Sequence, residues 1–341
     1  MKRIAIIGGG SWGTALSIIA ARKNHEVRLW SRNRGAVESI NRSHYNSVHL
    51  SNSAVPETVR AATDLAETLD RAEFVLLAIP SHAMRSTLES MLPWLRADMI
   101  FVSATKGIEP ETGLRISQIV QQTTKSQFEP RFVCLSGPSF AREVVEKHPT
   151  AVVAASSNAE DSCLVQAELS FDNLRIYTNG DVVGTELGGS VKNVMAIAAG
   201  MVAGLGFGTN SVAALITRGL AEMTRLALHE GAELETLMGL AGLGDLILTC
   251  TGALSRNRFV GEELGKGRRL EDITAGMKEV AEGVRTTEAV KRLARSSGVE
   301  MPITEEVYAV LYEGRTPQVA ATELMTRPLR EEFQHRYAGT I

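Results

Sequence analysis

The segment Gly8-Gly9-Gly10-Ser11-Trp12-Gly13 lies between a β-branched run and an apolar helix pattern, and it limits what this chain can fold into more than any other feature. The run Arg3–Gly8 predicts a strand and Thr14–Lys23 predicts a helix. A G-x-G-x-x-G turn joining the two opens a βαβ unit suited to a dinucleotide. Gly8 permits the tight turn, Gly10 lets the backbone approach a pyrophosphate, and Gly13 lets helix and strand pack closely. The amides of Ser11 and Trp12 then face the phosphates. A glycine turn without a ligand is the alternative.

Further β-branched runs follow at Glu26–Ser31, Phe74–Ile79, Met99–Ala104, Arg131–Ser136, Ala151–Ala155 and Leu174–Thr178, alternating with amphipathic segments. That alternation predicts a parallel sheet covered by helices. After Asp181 the strand signals stop and helical patterns run to the C-terminus. The fold class expected is α/β, a Rossmann-type doubly wound sheet over 1–180 and an all-helical domain over 181–341. From Thr185 to Leu205 the chain is crowded with Gly and Ala, which predicts a buried helix packed backbone-close on its neighbours. A second helix is expected over Val212–Glu230, stopped by Gly231.

Composition narrows the partners. A net charge of −3 over 341 residues gives no bulk attraction to nucleic acid or anionic lipid. The most apolar run, Val194–Gly208, is short for a bilayer span, and the start lacks the features of a signal peptide. Three separated cysteines suggest neither a disulfide framework nor a zinc knuckle, and none of the seven histidines has a metal spacing. A cytoplasmic protein without a membrane span, nucleic-acid partner or metal is expected. Its assembly is left open, a homodimer being one option.

Chemistry gathers at strand ends and in the helical half. After the second strand the chain reads Trp30-Ser31-Arg32-Asn33-Arg34, with no carboxylate for a ribose 2′-hydroxyl, so Arg32 either pairs a 2′-phosphate, favouring NADP or the use of both NADP and NAD, or is solvated. Thr105-Lys106-Gly107 and Gly137-Pro138-Ser139-Phe140-Ala141 follow two other strands. Lys106 is a candidate for a substrate oxygen or a loop lysine, and Ser139 a substrate contact or a helix cap. Lys192 stands in a helix of small and apolar residues, costly unless paired or used, and either serves as the acid–base group of a carbonyl reduction or snorkels at the helix surface. Asp245, in Gly242-Leu243-Gly244-Asp245, can pair with it, and the balance between pairing and desolvation stays open. Ser255-Arg256-Asn257-Arg258 reads as a helix N-terminus able to bind phosphate, or as a capped helix with solvated arginines.

With these motifs in place the chain resembles the bacterial sn-glycerol-3-phosphate dehydrogenase family, NAD(P)-dependent, nearly from end to end. The resemblance rests on GGGSWGTAL, ATKGIE, SGPSFA, GGSVKNVMAIAAG, ITRGLAEM, GLGDLILTC and SRNR. It implies reversible hydride transfer between a nicotinamide and a small phosphorylated substrate, feeding glycerophospholipid synthesis. By the resemblance Lys192 is the proton acceptor, and Lys106, Gly137, Ser139, Asp245, Ser255, Arg256 and Asn257 are substrate positions. Ser11, Trp12, Arg32, Lys106, Ala141, Arg256, Val280 and Glu282 fall at cofactor positions. Trp12 stands where tyrosine is commoner and Arg32 where a histidine can occur. The rival readings are a β-hydroxyacid dehydrogenase, which shares a glycine-flanked helix lysine, and a non-catalytic dinucleotide sensor.

Overall fold

The computed structural model describes residues 1–277, 281–329 and 331–332. Eight strands form one sheet: β1 (Arg3–Ile7), β2 (Glu26–Trp30), β3 (Val59–Ala62), β4 (Phe74–Leu77), β5 (Ile100–Ser103), β6 (Arg131–Ser136), β7 (Thr150–Ala155) and β8 (Leu174–Asn179). Their spatial order is β3-β2-β1-β4-β5-β6-β7-β8, so the strand order reverses between β1 and β4, and a crevice opens at their carboxyl ends. Both faces of the sheet are covered. Ile4, Ile6, Leu29 and Val102 belong to the core on one side, and Ile7, Val75, Leu77 and Phe101 to the core on the other. This is why the strands read as continuous apolar runs rather than alternating ones.

Two details depart from the expected sheet. The edge strand β3 has no counterpart among the expected strands: Val59-Arg60-Ala61-Ala62 is four residues long and has a single β-branched side chain, and it is held by pairing with β2. β7 runs antiparallel to β6, with Leu135 opposite Ala154. The link between them carries only a five-residue helix, Ala141–Val145, too short to carry the chain back across the sheet for a parallel return. It therefore stays at the carboxyl end of β6 and leaves Gly137–Ala141 beside the crevice.

Six helices build the site: α1 (Ser11–Arg22), α2 (Ile116–Thr124), α3 (Val182–Gly204), α4 (Asp245–Thr251), α5 (Arg256–Gly265) and α6 (Glu282–Ser296). α3 is mostly small and apolar and is buried through most of its length, the centre of the helical half, although its length and hydropathy would suit a bilayer. Asp181 caps it, accepting from Gly184 N at 2.7 Å with one oxygen and from Glu233 N at 2.8 Å with the other. Gly200 and Gly204 on α3 face Gly261 and Gly265 on α5. A Cβ added at Gly261 would lie 1.9 Å from the Ile197 carbonyl oxygen, and one at Gly200 2.0 Å from that of Arg258. Four glycines thus let two backbones touch, as the Gly/Ala crowding predicts, and bring the first turn of α5 beside Lys192. The expected second helix spans Thr209–His229 and ends before Gly231, whose φ is +90°.

Candidate active site

A cavity of about 480 Å³ runs along the carboxyl edge of the sheet and under the helical half. Its floor is the glycine turn. Gly8 has φ +130°, and a Cβ there would lie 2.3 Å from the Ala78 carbonyl oxygen. A Cβ at Gly13 would lie 1.8 Å from the Gly8 carbonyl oxygen, so α1 can start only with glycine at this position. A Cβ at Gly10 would meet nothing within 4 Å, because that backbone looks into the groove. Ser11 and Trp12 line the same wall at the N-terminus of α1. An open backbone cradle, a helix N-terminus and room for an extended ligand fit a dinucleotide pyrophosphate. Above the turn Asn46, fully buried, donates to Gly9 O and to Thr14 Oγ1, both at 2.9 Å, and so pins the segment that brings His49 to the rim. Arg32 is exposed on the groove wall just beyond β2. Among the described residues, no acidic side chain lines the cavity there.

At the other end of the groove three charged side chains meet. Lys192 on α3 is 5% exposed and Asp245, at the start of α4, is 0% exposed. Lys192 Nζ donates to Asp245 Oδ1 at 2.6 Å and Lys106 Nζ donates to Asp245 Oδ2 at 2.6 Å, so one carboxylate holds two ammonium groups. Lys106 Nζ also donates to Gly137 O at 3.0 Å. Burial pulls the Lys192 pKa down to about 8, aided by the Lys106 charge and opposed by Asp245. Desolvation therefore outweighs pairing, a balance the sequence leaves open. Asp245 gains its aim from the π-helical turn Leu240–Gly244 that precedes it. That turn lies against α3 at Gly188, where an added Cβ would be 2.6 Å from Ala241 O.

Ser255 is the N-cap of α5, accepting from Arg258 N at 3.2 Å. Asn257 donates through Nδ2 to Asn193 Oδ1 at 2.9 Å and accepts through Oδ1 from Gly283 N at 2.9 Å. Ser255, Arg256 and Asn257 all line the cavity, together with Glu282 at the start of α6. Burial pushes the Glu282 carboxyl up to about 7, against the pull of Arg256, Lys106 and Lys192. Ser139 faces the cavity and its Oγ donates to Gly137 O at 3.1 Å. The cap of the following helix is Phe140 instead, so the cap reading of Ser139 is corrected.

The structure thus gathers Gly8, Gly10, Ser11, Trp12 and Arg32 on one stretch of wall, and Lys106, Ser139, Lys192, Ser255, Arg256, Asn257 and Glu282 on the other. Gly13, Gly137, Ala141 and Asp245 stand behind that lining. Val280 lies outside the described residues. Two groups escape a reading of the residues alone. Thr249, one turn beyond Asp245, accepts from Lys192 Nζ at 2.6 Å and donates its proton to Asp245 O at 2.6 Å. Asn193 links α3 to α5. A hydroxyl at i+4 from a buried carboxylate is the only sequence signal for the first, and adjacency to Lys192 for the second.

The arrangement offers a dinucleotide cradle, a buried amine poised to exchange a proton near neutral pH, and an arginine at a helix N-terminus suited to an anion. Comparison with known proteins gives the family. The family pattern described as NAD-dependent glycerol-3-phosphate dehydrogenase N-terminus matches residues 3–162, and its C-terminus counterpart matches 181–322. A glycerol-3-phosphate dehydrogenase (NAD(P)+) of Koribacter versatilis is 53% identical over 334 residues, covering 97% of this chain and 99% of the relative. One from Nitratidesulfovibrio vulgaris strain DP4 is 51% identical over 330 residues, covering 97% and 100%. The crystal structure of glycerol-3-phosphate dehydrogenase from Coxiella burnetii superposes with a TM-score of 0.92 at 41% identity, covering 96% of this chain and 99% of that one. A cradle for the dinucleotide, a buried lysine against Asp245 and near-complete coverage by such relatives leave one conclusion: the chain belongs to the NAD-dependent glycerol-3-phosphate dehydrogenase family.

Proposed function

We propose that this chain interconverts dihydroxyacetone phosphate and sn-glycerol 3-phosphate with NAD(P)H, and that Lys192 moves the proton. The observation that carries this reading is the Lys192 amine, 5% exposed, lining the cavity and held on Asp245 with its pKa pulled down to about 8. A nicotinamide cofactor held in the glycine cradle would supply the hydride for C2, or accept it in the reverse direction. Negative charge then develops on the carbonyl oxygen, and Lys192 as ammonium delivers a proton to it; as free amine it takes the hydroxyl proton in oxidation. Asp245 and Thr249 occupy two of its donor directions, which orients the third toward the cavity. Lys106 adds a second positive charge beside the developing oxyanion.

Arg256, at the N-terminus of the ten-residue α5, is the proposed holder of the substrate phosphate, with Ser255 and Asn257 fixing its backbone. Phosphate binding energy then orients C2 for the transfer. We read residues 1–180 as the nucleotide half and 181–341 as the substrate half, Gly8–Gly13 with Ala141 and Glu282 as cofactor contacts, and Gly137 with Ser139 as further substrate contacts. Arg32 tilts the preference toward NADP. The product suits glycerophospholipid synthesis in the cytoplasm.

The test is a substrate panel of phosphorylated and carboxylated carbonyls with NADH and NADPH, followed by nicotinamide absorbance. Lys192→Met is expected to lower kcat by about 10²–10⁴-fold. Arg256→Ala is expected to raise the KM for dihydroxyacetone phosphate by roughly tenfold to a hundredfold. A Lys192→Met protein with near-wild-type kcat at saturation removes the acid–base role. Turnover of carboxylated substrates alone points to a hydroxyacid dehydrogenase.

A further inference from the structure

Lys106 reaches Asp245 from a segment that follows β5 in the nucleotide half but packs with the helices. Beyond β5 the chain from Lys106 to Arg115 folds as a short hairpin, closed by a bridge between Ile108 and Arg115 and by Glu109 N donating to Leu114 O at 3.0 Å. Ile108 is 0% exposed and belongs to the apolar core of the helical half, the one that holds Leu187 and Val191. The hairpin runs directly into α2, whose N-cap is Arg115, a side chain with no acceptor to offer the first-turn amides. A residue from the other half supplies the acceptor.

That residue is Glu186 on α3, 6% exposed. Its Oε1 accepts from Ser117 N at 2.7 Å, and its Oε2 accepts from Ser117 Oγ at 2.6 Å and from Arg115 Nη1 at 2.7 Å. One turn along α3 stands Gly189, where an added Cβ would lie 2.6 Å from Ser136 Oγ and 3.7 Å from the Lys106 Cγ, so the Lys106 stem crosses α3 at close range. The next turn carries Lys192. Glu186, Gly189 and Lys192 therefore follow one another at three-residue intervals along the helix that meets the hairpin. A buried charged pair is a poor source of net stability, since desolvation cancels much of the attraction, and a serine at the N-cap would satisfy α2 at lower cost.

We propose that Glu186 is a positioning residue for the proton transfer: by tying the base of the Lys106–Arg115 hairpin to α3 it holds Lys106 and Lys192 on the two oxygens of Asp245. This rests on the proposed reaction for its kinetic readout alone. When the tie is cut, the hairpin loses its anchor beside α2 and Lys106 leaves Asp245 Oδ2. The carboxylate then serves Lys192 alone. Lys192 faces Asp245 and Cys250 on α4, Lys106 on the hairpin and Glu282 on α6. Loss of the Lys106 charge removes one of the influences that lower its pKa.

The experiment compares Glu186→Ala, Glu186→Gln and Arg115→Ala with the wild type, using dihydroxyacetone phosphate and NADPH. Glu186→Ala is expected to lower kcat by about tenfold to a hundredfold, since small misplacements of reacting groups cost that much. It is also expected to raise the midpoint of the kcat–pH profile above that of the wild type. Glu186→Gln keeps an acceptor for Ser117 N but turns a donor toward Arg115, and is expected to lie between wild type and Glu186→Ala in both kcat and midpoint. Arg115→Ala cuts the tie from the hairpin side and is expected to shift the midpoint in the same direction, which covers a Glu186→Ala protein that fails to fold. Hydrogen exchange reads the tie without any substrate: the amides of Glu109 and Ser117 are expected to lose protection in Glu186→Ala and keep it in Glu186→Gln. Unchanged protection in folded Glu186→Ala overturns the proposal, as does equal loss of kcat in both Glu186 variants at an unmoved midpoint. A wild type that turns over no phosphorylated carbonyl fails the reaction, while the exchange result still decides the tie.

Discussion

Replacing Asp245 with asparagine isolates the electrostatics of the two lysines. The carboxylate is fully buried and accepts from Lys192 and Lys106 at 2.6 Å each. An amide keeps the shape and one acceptor but withdraws the charge, and its other atom becomes a donor facing an ammonium. An opposite charge at such range is worth about 1–3 pKa units. Lys192, at about 8 with Asp245 opposing burial, is therefore expected to fall to about 5–7. At pH 7.5 the ammonium form drops from about three quarters of the molecules to about a quarter or less. In the reduction direction kcat falls as pH rises through this midpoint, because the ammonium is the donor. In oxidation kcat rises through it, because the free amine is the base. Both midpoints move down together in Asp245→Asn. The assay is kcat against pH in each direction at saturating substrate, by nicotinamide absorbance. Two cations around a neutral amide cost about 3–5 kcal/mol, so thermal melting must accompany the kinetics to show that the variant is folded. A folded Asp245→Asn enzyme whose midpoint stays at the wild-type value or rises would refute the assignment of Lys192 as the titrating group.

Arg32→Ala is expected to raise the KM for NADPH by about tenfold or more while changing that for NADH by no more than about twofold, because a charge-assisted bond to a 2′-phosphate is worth about 1.5–3 kcal/mol. Equal effects on both cofactors would place Arg32 away from the 2′ position. Gly261→Ala puts a Cβ 1.9 Å from Ile197 O and forces α3 and α5 apart. It is expected to cost about 1–3 kcal/mol or more in chemical denaturation and, because α5 carries Arg256, to raise the KM for the phosphorylated substrate. An unchanged denaturation midpoint would show that the two helices do not depend on this contact.

Local pattern carried the dinucleotide cradle, since the turn and the close start of α1 that Gly10 and Gly13 allow lie within one strand–turn–helix, although the crowding at Gly8 comes from Ala78 beyond β4. Most strands were legible for a related reason: burial on both faces writes them as apolar runs. β3 was not, because a four-residue edge strand is defined by its pairing with β2 rather than by its own composition. The antiparallel β7 depended on the length of a connection, and a run of valines and alanines does not encode direction. Lys192 stood out as a charge among small apolar residues and as an acid–base candidate, but the balance that sets its pKa did not. The pKa follows from burial and from two charges that arrive from residues 106 and 245, and desolvation prevails only because folding encloses all three. Thr249 and Glu186 are ordinary helix residues in the sequence. One meets the Lys192 amine and the other joins two segments because of which atoms the tertiary structure sets within 3 Å of them. The sequence by itself determined the strand–glycine turn–helix suited to a dinucleotide and the residue types that stand at the strand ends. The packing of α3 against the hairpin, α4 and α5 decided which side chains meet and which proton can move, because distance and desolvation exist only once the chain has folded.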